Sequence, residues 1–299
     1  MRSWPVSEPS SWGPAKTDRI DEVRPAQVLM RAEDYLSRHA IESPREDAET
    51  LLMSVLGVDR VGVYARSTPL SPDEAKTFGR ALCQRCAGVP LQHLTGEQQF
   101  RRLSLVVRPG VFIPRPETEE LVETALALIE GLDHAPVVVD VCTGTGAIAL
   151  SIKSERPDAA VVATDISDEA VRLAKENAEL LGLDVQVLTG DLLEALPASL
   201  TGLVDLVVSN PPYVAREEYD DLPSEVRADP ALALLGGTEF HARLVEQASR
   251  LLGPRGWLAM EIGETQGDEV LALVRGRFED ARLTQDLAGR DRIVSGRLG

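Results

Sequence analysis

At 299 residues the chain has room for about two domains, and its 43% hydrophobic and 26% charged content is that of an ordinary globular protein. A formal net charge of −17 argues against a polyanionic partner, because gripping phosphates needs a basic face. No apolar stretch approaches the length of a membrane span, and Met1-Arg2-Ser3-Trp4-Pro5 lacks the apolar core of a secretory signal.

The first 22 residues are rich in Ser, Pro and Gly and read as a flexible extension. Residues 23–88 read as a small helical bundle. Val28, Leu29, Ala32, Tyr35 and Leu36 form an apolar stripe at helical spacing. Ser43-Pro44-Arg45-Glu46 and Ser71-Pro72-Asp73-Glu74 each carry the pattern of a capping box with proline at the first helical position. No acid, base or nucleophile grouping stands out in the bundle, so partner recognition and plain scaffolding both remain open for it. The three cysteines, Cys83, Cys86 and Cys142, are an odd number, which fits a reducing compartment and a cytoplasmic setting. Cys83-x-x-Cys86 has no second pair of ligands, so helix packing is the expected role and no metal is expected.

Gly88-Val89-Pro90 marks a boundary. Residues 91–108 alternate loosely and read as a β-hairpin, so 89–110 is expected to link the bundle to a larger domain over 111–299. In Ile113-Pro114-Arg115-Pro116-Glu117-Thr118-Glu119 two prolines flank an arginine ahead of an apolar-periodic helix. The segment reads equally as a helix start and as a rigid strip reaching over a cofactor.

From Pro136 onward strands and helices alternate: strands near 137–142, 160–166, 185–189, 203–209 and 257–262, with helices near 147–155, 168–181, 239–252 and 266–274. Two further strands, near 281–287 and 292–297, close the chain as an antiparallel edge hairpin. Alternation of this kind predicts an α/β fold with a doubly wound, mostly parallel sheet. Ligands of such sheets bind outside the carboxyl ends of the strands.

Two strand ends carry chemistry. The first is Asp140-Val141-Cys142-Thr143-Gly144-Thr145-Gly146, whose glycines let a backbone approach a ligand and turn into a helix. The same glycines fit a loose dinucleotide fingerprint. Asp140 on the strand itself can order the loop or meet a cationic ligand. Asp165, ending the second strand, can accept two ribose hydroxyls. Asp191 and Leu192 after the third strand can take an adenine amino group and its ring. No general acid for hydride transfer is apparent, and these acids favour S-adenosyl-L-methionine over a nicotinamide.

The second is Asn210-Pro211-Pro212-Tyr213. The prolines extend and stiffen the turn and contribute no N–H. The result is an acceptor-rich pocket, with Tyr213 as a wall, suited to a planar NH₂ group.

With these residues in view, the chain resembles the class I S-adenosylmethionine-dependent methyltransferases. More closely it resembles the HemK/PrmC-like N5-glutamine methyltransferases of peptide chain release factors. The resemblance runs from about residue 25 to the end. It rests on Leu94-Thr95-Gly96, Phe100, the Pro114-to-Glu119 segment, Thr143-Gly144-Thr145-Gly146, Asp165, Asn210-Pro211-Pro212-Tyr213, Ala233-Leu234-Leu235-Gly236-Gly237 and Gly289-Arg290-Asp291-Arg292.

It implies a seven-stranded Rossmann-like domain behind a helical bundle and hairpin. It also implies methylation of the glutamine of a Gly-Gly-Gln motif in release factors, with S-adenosyl-L-homocysteine as product. By position it puts Cys142, Thr143, Gly144, Thr145, Gly146, Asp165, Asp191 and Leu192 on the cofactor, with Phe100 and Arg115 close to it. Asn210 and the Pro211 carbonyl would hold the glutamine amide beside Pro212 and Tyr213. Cys142 departs from the pattern, where a glycine or similarly small residue is usual. The expected enzyme acts as a monomer on a protein, without direct contact to nucleic acid or membrane. An adenine methyltransferase using the same tetrapeptide, and a cofactor-binding module without transfer activity, are the alternatives.

Overall fold

The computed structural model describes residues 24–286 and 288–299, so the expected N-terminal extension lies outside the described residues. The chain divides between Gly96 and Glu97 into two compact units.

The first unit is helical. Helices α1 (Pro25–Arg38), α2 (Pro44–Leu56), α3 (Arg60–Ala65) and α4 (Pro72–Cys86) enclose a core of Leu36, Leu51, Leu52, Phe78 and Leu82. Each of these side chains is fully buried, a gain of roughly 1.5–3 kcal/mol apiece. The capping box at Ser71 forms as the sequence predicts: Glu74 N donates to Ser71 Oγ at 3.2 Å, and Ser71 N donates to Glu74 Oε2 at 2.7 Å. The one expected at Ser43 does not form; its ψ of 63° is not that of a cap, and its side chain makes no capping bond. Inside the unit Arg85 and Asp47 pair at 2.6 Å, both buried. Helix α5 (Leu91–Thr95) ends the unit. These residues alternate only loosely, and the three-residue spacing of Leu91 and Leu94 fits a helix better than a strand.

The second unit opens with a hairpin, β1 (Glu97–Phe100) paired antiparallel with β2 (Leu103–Val106), followed by α6 (Thr118–Ile129). Then come β3 (Val137–Val141), α7 (Ala147–Glu155), β4 (Ala160–Asp165), α8 (Asp168–Leu181), β5 (Val185–Thr189) and β6 (Val204–Ser209). After β6 the polar stretch holds two short 3₁₀ turns and α9 (Ala231–Leu234). Helix α10 (Glu239–Leu251), β7 (Leu252–Glu261), α11 (Gly267–Arg275), β8 (Glu279–Gln285) and β9 (Asp291–Arg297) complete the chain.

The seven strands follow the order β5-β4-β3-β6-β7-β9-β8. The first five are parallel, and β9 runs antiparallel to both its neighbours. Alternate strand residues face opposite layers. Val138, Leu206 and Val208 pack with α6 and α7; Val139, Val207 and Leu258 pack with α10 and α11. This is the doubly wound α/β sheet that the strand–helix alternation predicts.

Strand order reverses at β3, because β4 and β5 continue to one side and β6 lies on the other. Val141 pairs with Ser209 across that switch, and Ser209 Oγ donates to the Val141 carbonyl at 2.7 Å. The loop after β3 and the turn after β6 therefore leave the sheet side by side, where a crevice is expected. Among the described residues no helix is long and apolar enough to cross a membrane.

Candidate active site

A cavity of about 770 Å³ opens at these strand ends. Its lining includes Arg115, Cys142, Thr143, Gly144, Thr145, Asp165, Asp191, Leu192 and the whole Asn210-to-Tyr213 turn.

On the cofactor side the loop after β3 is braced from beneath. Thr143 Oγ1 and Ala149 N donate to Asp140 Oδ2 at 2.5 and 3.1 Å. Asp140 is fully buried and does not reach the cavity, and burial pushes its carboxyl up to about 7. It thus orders the loop, one of the two roles open to it from sequence. Asp165 reaches the cavity and also holds the loop: Gly144 N donates to its Oδ2 and Ser167 N to its Oδ1, each at 2.9 Å. Burial raises the Asp165 carboxyl above its ordinary range against the pull of these N–H groups.

Gly144 has φ +58°, and a Cβ placed there would meet nothing within 4 Å, so the backbone faces open space. An acid, a bare backbone loop and a roomy cavity fit a nucleoside-bearing cofactor. Cys142 has φ +61°, in the left-handed region where a side chain strains the backbone by about 1–2 kcal/mol. That strain is why a glycine would be at ease here. Burial raises the Cys142 thiol, as do Asp165 and Asp140 nearby. Asp191 pairs with Arg243 at 2.6 Å, and the Leu192 carbonyl accepts from Thr164 Oγ1 at 2.8 Å.

Besides Asp140, which lies off the cavity, and Asp191, which is paired with Arg243, three more residues placed at the site by sequence lie off the cavity wall or are otherwise engaged. Phe100 is fully buried in the layer with Leu103, Leu105 and Leu121 and does not line the cavity. Its strand points it inward, which the motif alone does not reveal. Gly146 starts α7 beneath Leu150 and also lies off the cavity wall. Arg115 lines the cavity, but its guanidinium is paired with Asp229 and sits 5.3 Å from the Phe112 ring centroid.

On the substrate side, Asn210 Nδ2 donates to Thr118 Oγ1 at 3.0 Å. Tyr213 donates its hydroxyl to Glu261 Oε1 at 3.3 Å, and its backbone carbonyl accepts from Gln266 Nε2 at 2.8 Å. Burial pushes the Glu261 carboxyl up to about 7, opposed by the Thr118 hydroxyl, Arg292 and Tyr213. Glu261 Oε2 itself has no close donor. The Tyr213 hydroxyl is raised, first by burial and then by Glu261.

The stretch after β6 folds back onto the turn: Val214 N donates to the Leu234 carbonyl at 2.8 Å, and Gly236 N to the Val214 carbonyl at 3.0 Å. Gly236 is obligatory in this packing, since a Cβ there would stand 2.1 Å from the Pro212 carbonyl oxygen. Sequence reasoning missed Thr118, Glu261 and Asp229. Glu261 had a usable signal, because it ends a strand at the carboxyl edge of the sheet.

Two family models match the chain: the PrmC N-terminal domain over residues 27–96 and the methyltransferase small domain over 102–228. A release factor glutamine methyltransferase of Geobacter sulfurreducens is 39% identical over 91% of this chain and 96% of its own length. One of Moorella thermoacetica is 43% identical over 89% of this chain and 95% of its own. Among solved structures, the T. thermophilus 16S rRNA methyltransferase RsmC, in complex with AdoMet and guanosine, superposes with a TM-score of 0.52 at 18% identity. That match covers 68% of this chain and 50% of RsmC, and it shows the shared fold alone. A methyltransferase fold of this kind uses a methyl-donor cofactor. Identity near 40% to the curated relatives, running through both units, shows that the chain belongs to the release factor glutamine methyltransferase family.

Proposed function

We propose that this protein methylates the side-chain amide nitrogen (N5) of the glutamine in the Gly-Gly-Gln motif of peptide chain release factors, in the cytoplasm, with S-adenosyl-L-methionine as methyl donor. The observation that carries the reading is the Asn210 carboxamide. Its NH₂ is engaged by Thr118, which leaves Oδ1 to accept from a ligand in the cavity.

An amide nitrogen is a weak nucleophile, because its lone pair is delocalised into the carbonyl. The bound donor supplies a methyl group already activated by a sulfonium, so the protein's task is mainly placement. Asn210 Oδ1 and the Pro211 carbonyl are assigned the two N–H bonds of the glutamine. Accepting both raises electron density at nitrogen and stabilises the positive charge that develops there as the S–CH₃ bond breaks; one N–H proton then leaves to water. Tyr213 and Pro212 wall the plane of the amide and exclude water. On the cofactor side Asp165 would accept the ribose hydroxyls, and Thr143, Gly144 and Thr145 would present their backbone to the ligand. Asp191 and Leu192 would face its adenine.

Labelled S-adenosyl-L-methionine incubated with purified release factors, followed by mass mapping, tests the reading. One methyl on the glutamine of Gly-Gly-Gln is expected; label in DNA, or none in any release factor, would overturn it.

A further inference from the structure

A carboxamide has two nearly isosteric orientations, related by rotation about its last bond. For Asn210 they are not equivalent. With Oδ1 toward the cavity the side chain accepts from a substrate NH₂. With Nδ2 toward the cavity it opposes donor to donor. Neither proline beside it has an N–H to fix the choice.

The choice is made 92 residues away in sequence. Thr118, buried at the first turn of α6, receives Nδ2 on its hydroxyl oxygen at 3.0 Å. A threonine hydroxyl oxygen carries two lone pairs, and one of them takes the Asn210 N–H. The same cavity is lined by Glu261, which is 2% exposed. Its carboxyl takes the Tyr213 hydroxyl. The tetrapeptide is thus anchored at both ends, Asn210 on the Thr118 hydroxyl and Tyr213 on Glu261.

We propose that Thr118 is a positioning residue of the transfer reaction, holding the Asn210 carboxamide with its oxygen toward the incoming glutamine amide. The inference rests on the reading that Asn210 accepts from the substrate. Thr118→Val keeps the shape and removes the hydroxyl; Thr118→Ser keeps the hydroxyl and removes the methyl.

The test measures steady-state kinetics on a purified release factor, donor affinity by calorimetry, and the Asn210 side-chain NH₂ resonance of the free protein. For Thr118→Val, kcat should fall about 10- to 100-fold. KM for release factor and donor affinity should stay within about twofold, and the NH₂ signal should shift and exchange faster. Thr118→Ser should restore kcat to within about threefold and recover the resonance.

Wild-type kcat in Thr118→Val would overturn the proposal, as would equal losses in the Val and Ser variants, which mark a packing role. A loss in KM alone would also overturn it. Asn210→Ala separates the two levels. Its loss of transfer alongside a normal Thr118→Val variant sinks the positioning role only, whereas normal transfer in Asn210→Ala sinks the reading beneath it.

Discussion

Arg115 and Asp229, 114 residues apart in sequence, form an ion pair that joins the Pro-Arg-Pro segment to the stretch after β6. The Asp229 carboxylate is wholly buried, and its other oxygen accepts from Ile113 N at 3.1 Å. Burial raises this carboxyl, while Arg115 and the Ile113 N–H hold it down. Asp229→Ala leaves a buried N–H unsatisfied and a guanidinium without its partner. A loss on the order of 2 kcal/mol in denaturant unfolding is expected, since removing one member of a buried pair costs more than the pair contributes. Arg115→Ala should cost at least as much, because it leaves the wholly buried Asp229 carboxyl without its counter-charge.

Asp165→Ala removes an acid that both faces the cavity and braces Gly144. Donor affinity should fall about 10- to 100-fold by calorimetry, each charged hydrogen bond being worth roughly 1.5–3 kcal/mol. Asp165→Asn keeps one acceptor oxygen and should lie between. Unchanged affinity in both variants would remove Asp165 from the cofactor site.

Glu261 and Asp140 set a pH dependence of stability. Each carboxyl is pushed up to about 7 in the fold, from ordinary values of 4.5 and 3.8. A group that binds its proton more tightly when folded stabilises the fold at low pH, and that stabilisation is lost as pH rises through the folded value. Wild-type stability should therefore fall between about pH 4.5 and pH 7.5. Glu261→Gln should flatten that fall by keeping Tyr213 an acceptor without a charge, and Asp140→Asn should flatten it further. Melting temperatures in a pH series read the slopes directly; parallel slopes in wild type and both variants would refute the assignment.

Cys142 offers a test of backbone strain. Cys142→Ala loses the thiol's packing and keeps a side chain at positive φ; Cys142→Gly loses the same packing and relieves the conformation. The glycine variant should be the more stable of the two by about 1 kcal/mol. Equal stabilities would mean that the loop relaxes away from the left-handed region.

Much of this architecture was legible from local pattern. Helix α8 and strand β5 begin and end where periodicity and the Ser167 cap put them. The cofactor loop and the tetrapeptide stand at strand ends for the reason the sheet rule gives. Strand order was not written locally, so nothing in the sequence said that β6 would lie against β3. The same limit hid Thr118. It sits in a segment read for its prolines and Arg115, and its bond to Asn210 reaches across 92 residues of sequence. Phe100 shows the opposite failure: a residue of a recognised motif turned out to face the core, because the pairing of Phe100 with Leu103 fixes which side of the hairpin is inward.

The buried acid behind the tetrapeptide also bears on how the protein tells its donor from its spent product. Glu261 lines the cavity with a carboxyl poised near neutrality. On the reading given above, the donor brings a sulfonium charge that the product lacks. A cation arriving beside such a carboxyl favours its ionised form and expels a proton. Donor binding near pH 7 should then release protons to the buffer, so its calorimetric heat should vary with the buffer's ionisation enthalpy. Product binding should release fewer. Rising pH would then narrow the proton release on donor binding, as more of the carboxyl is already ionised before the donor arrives.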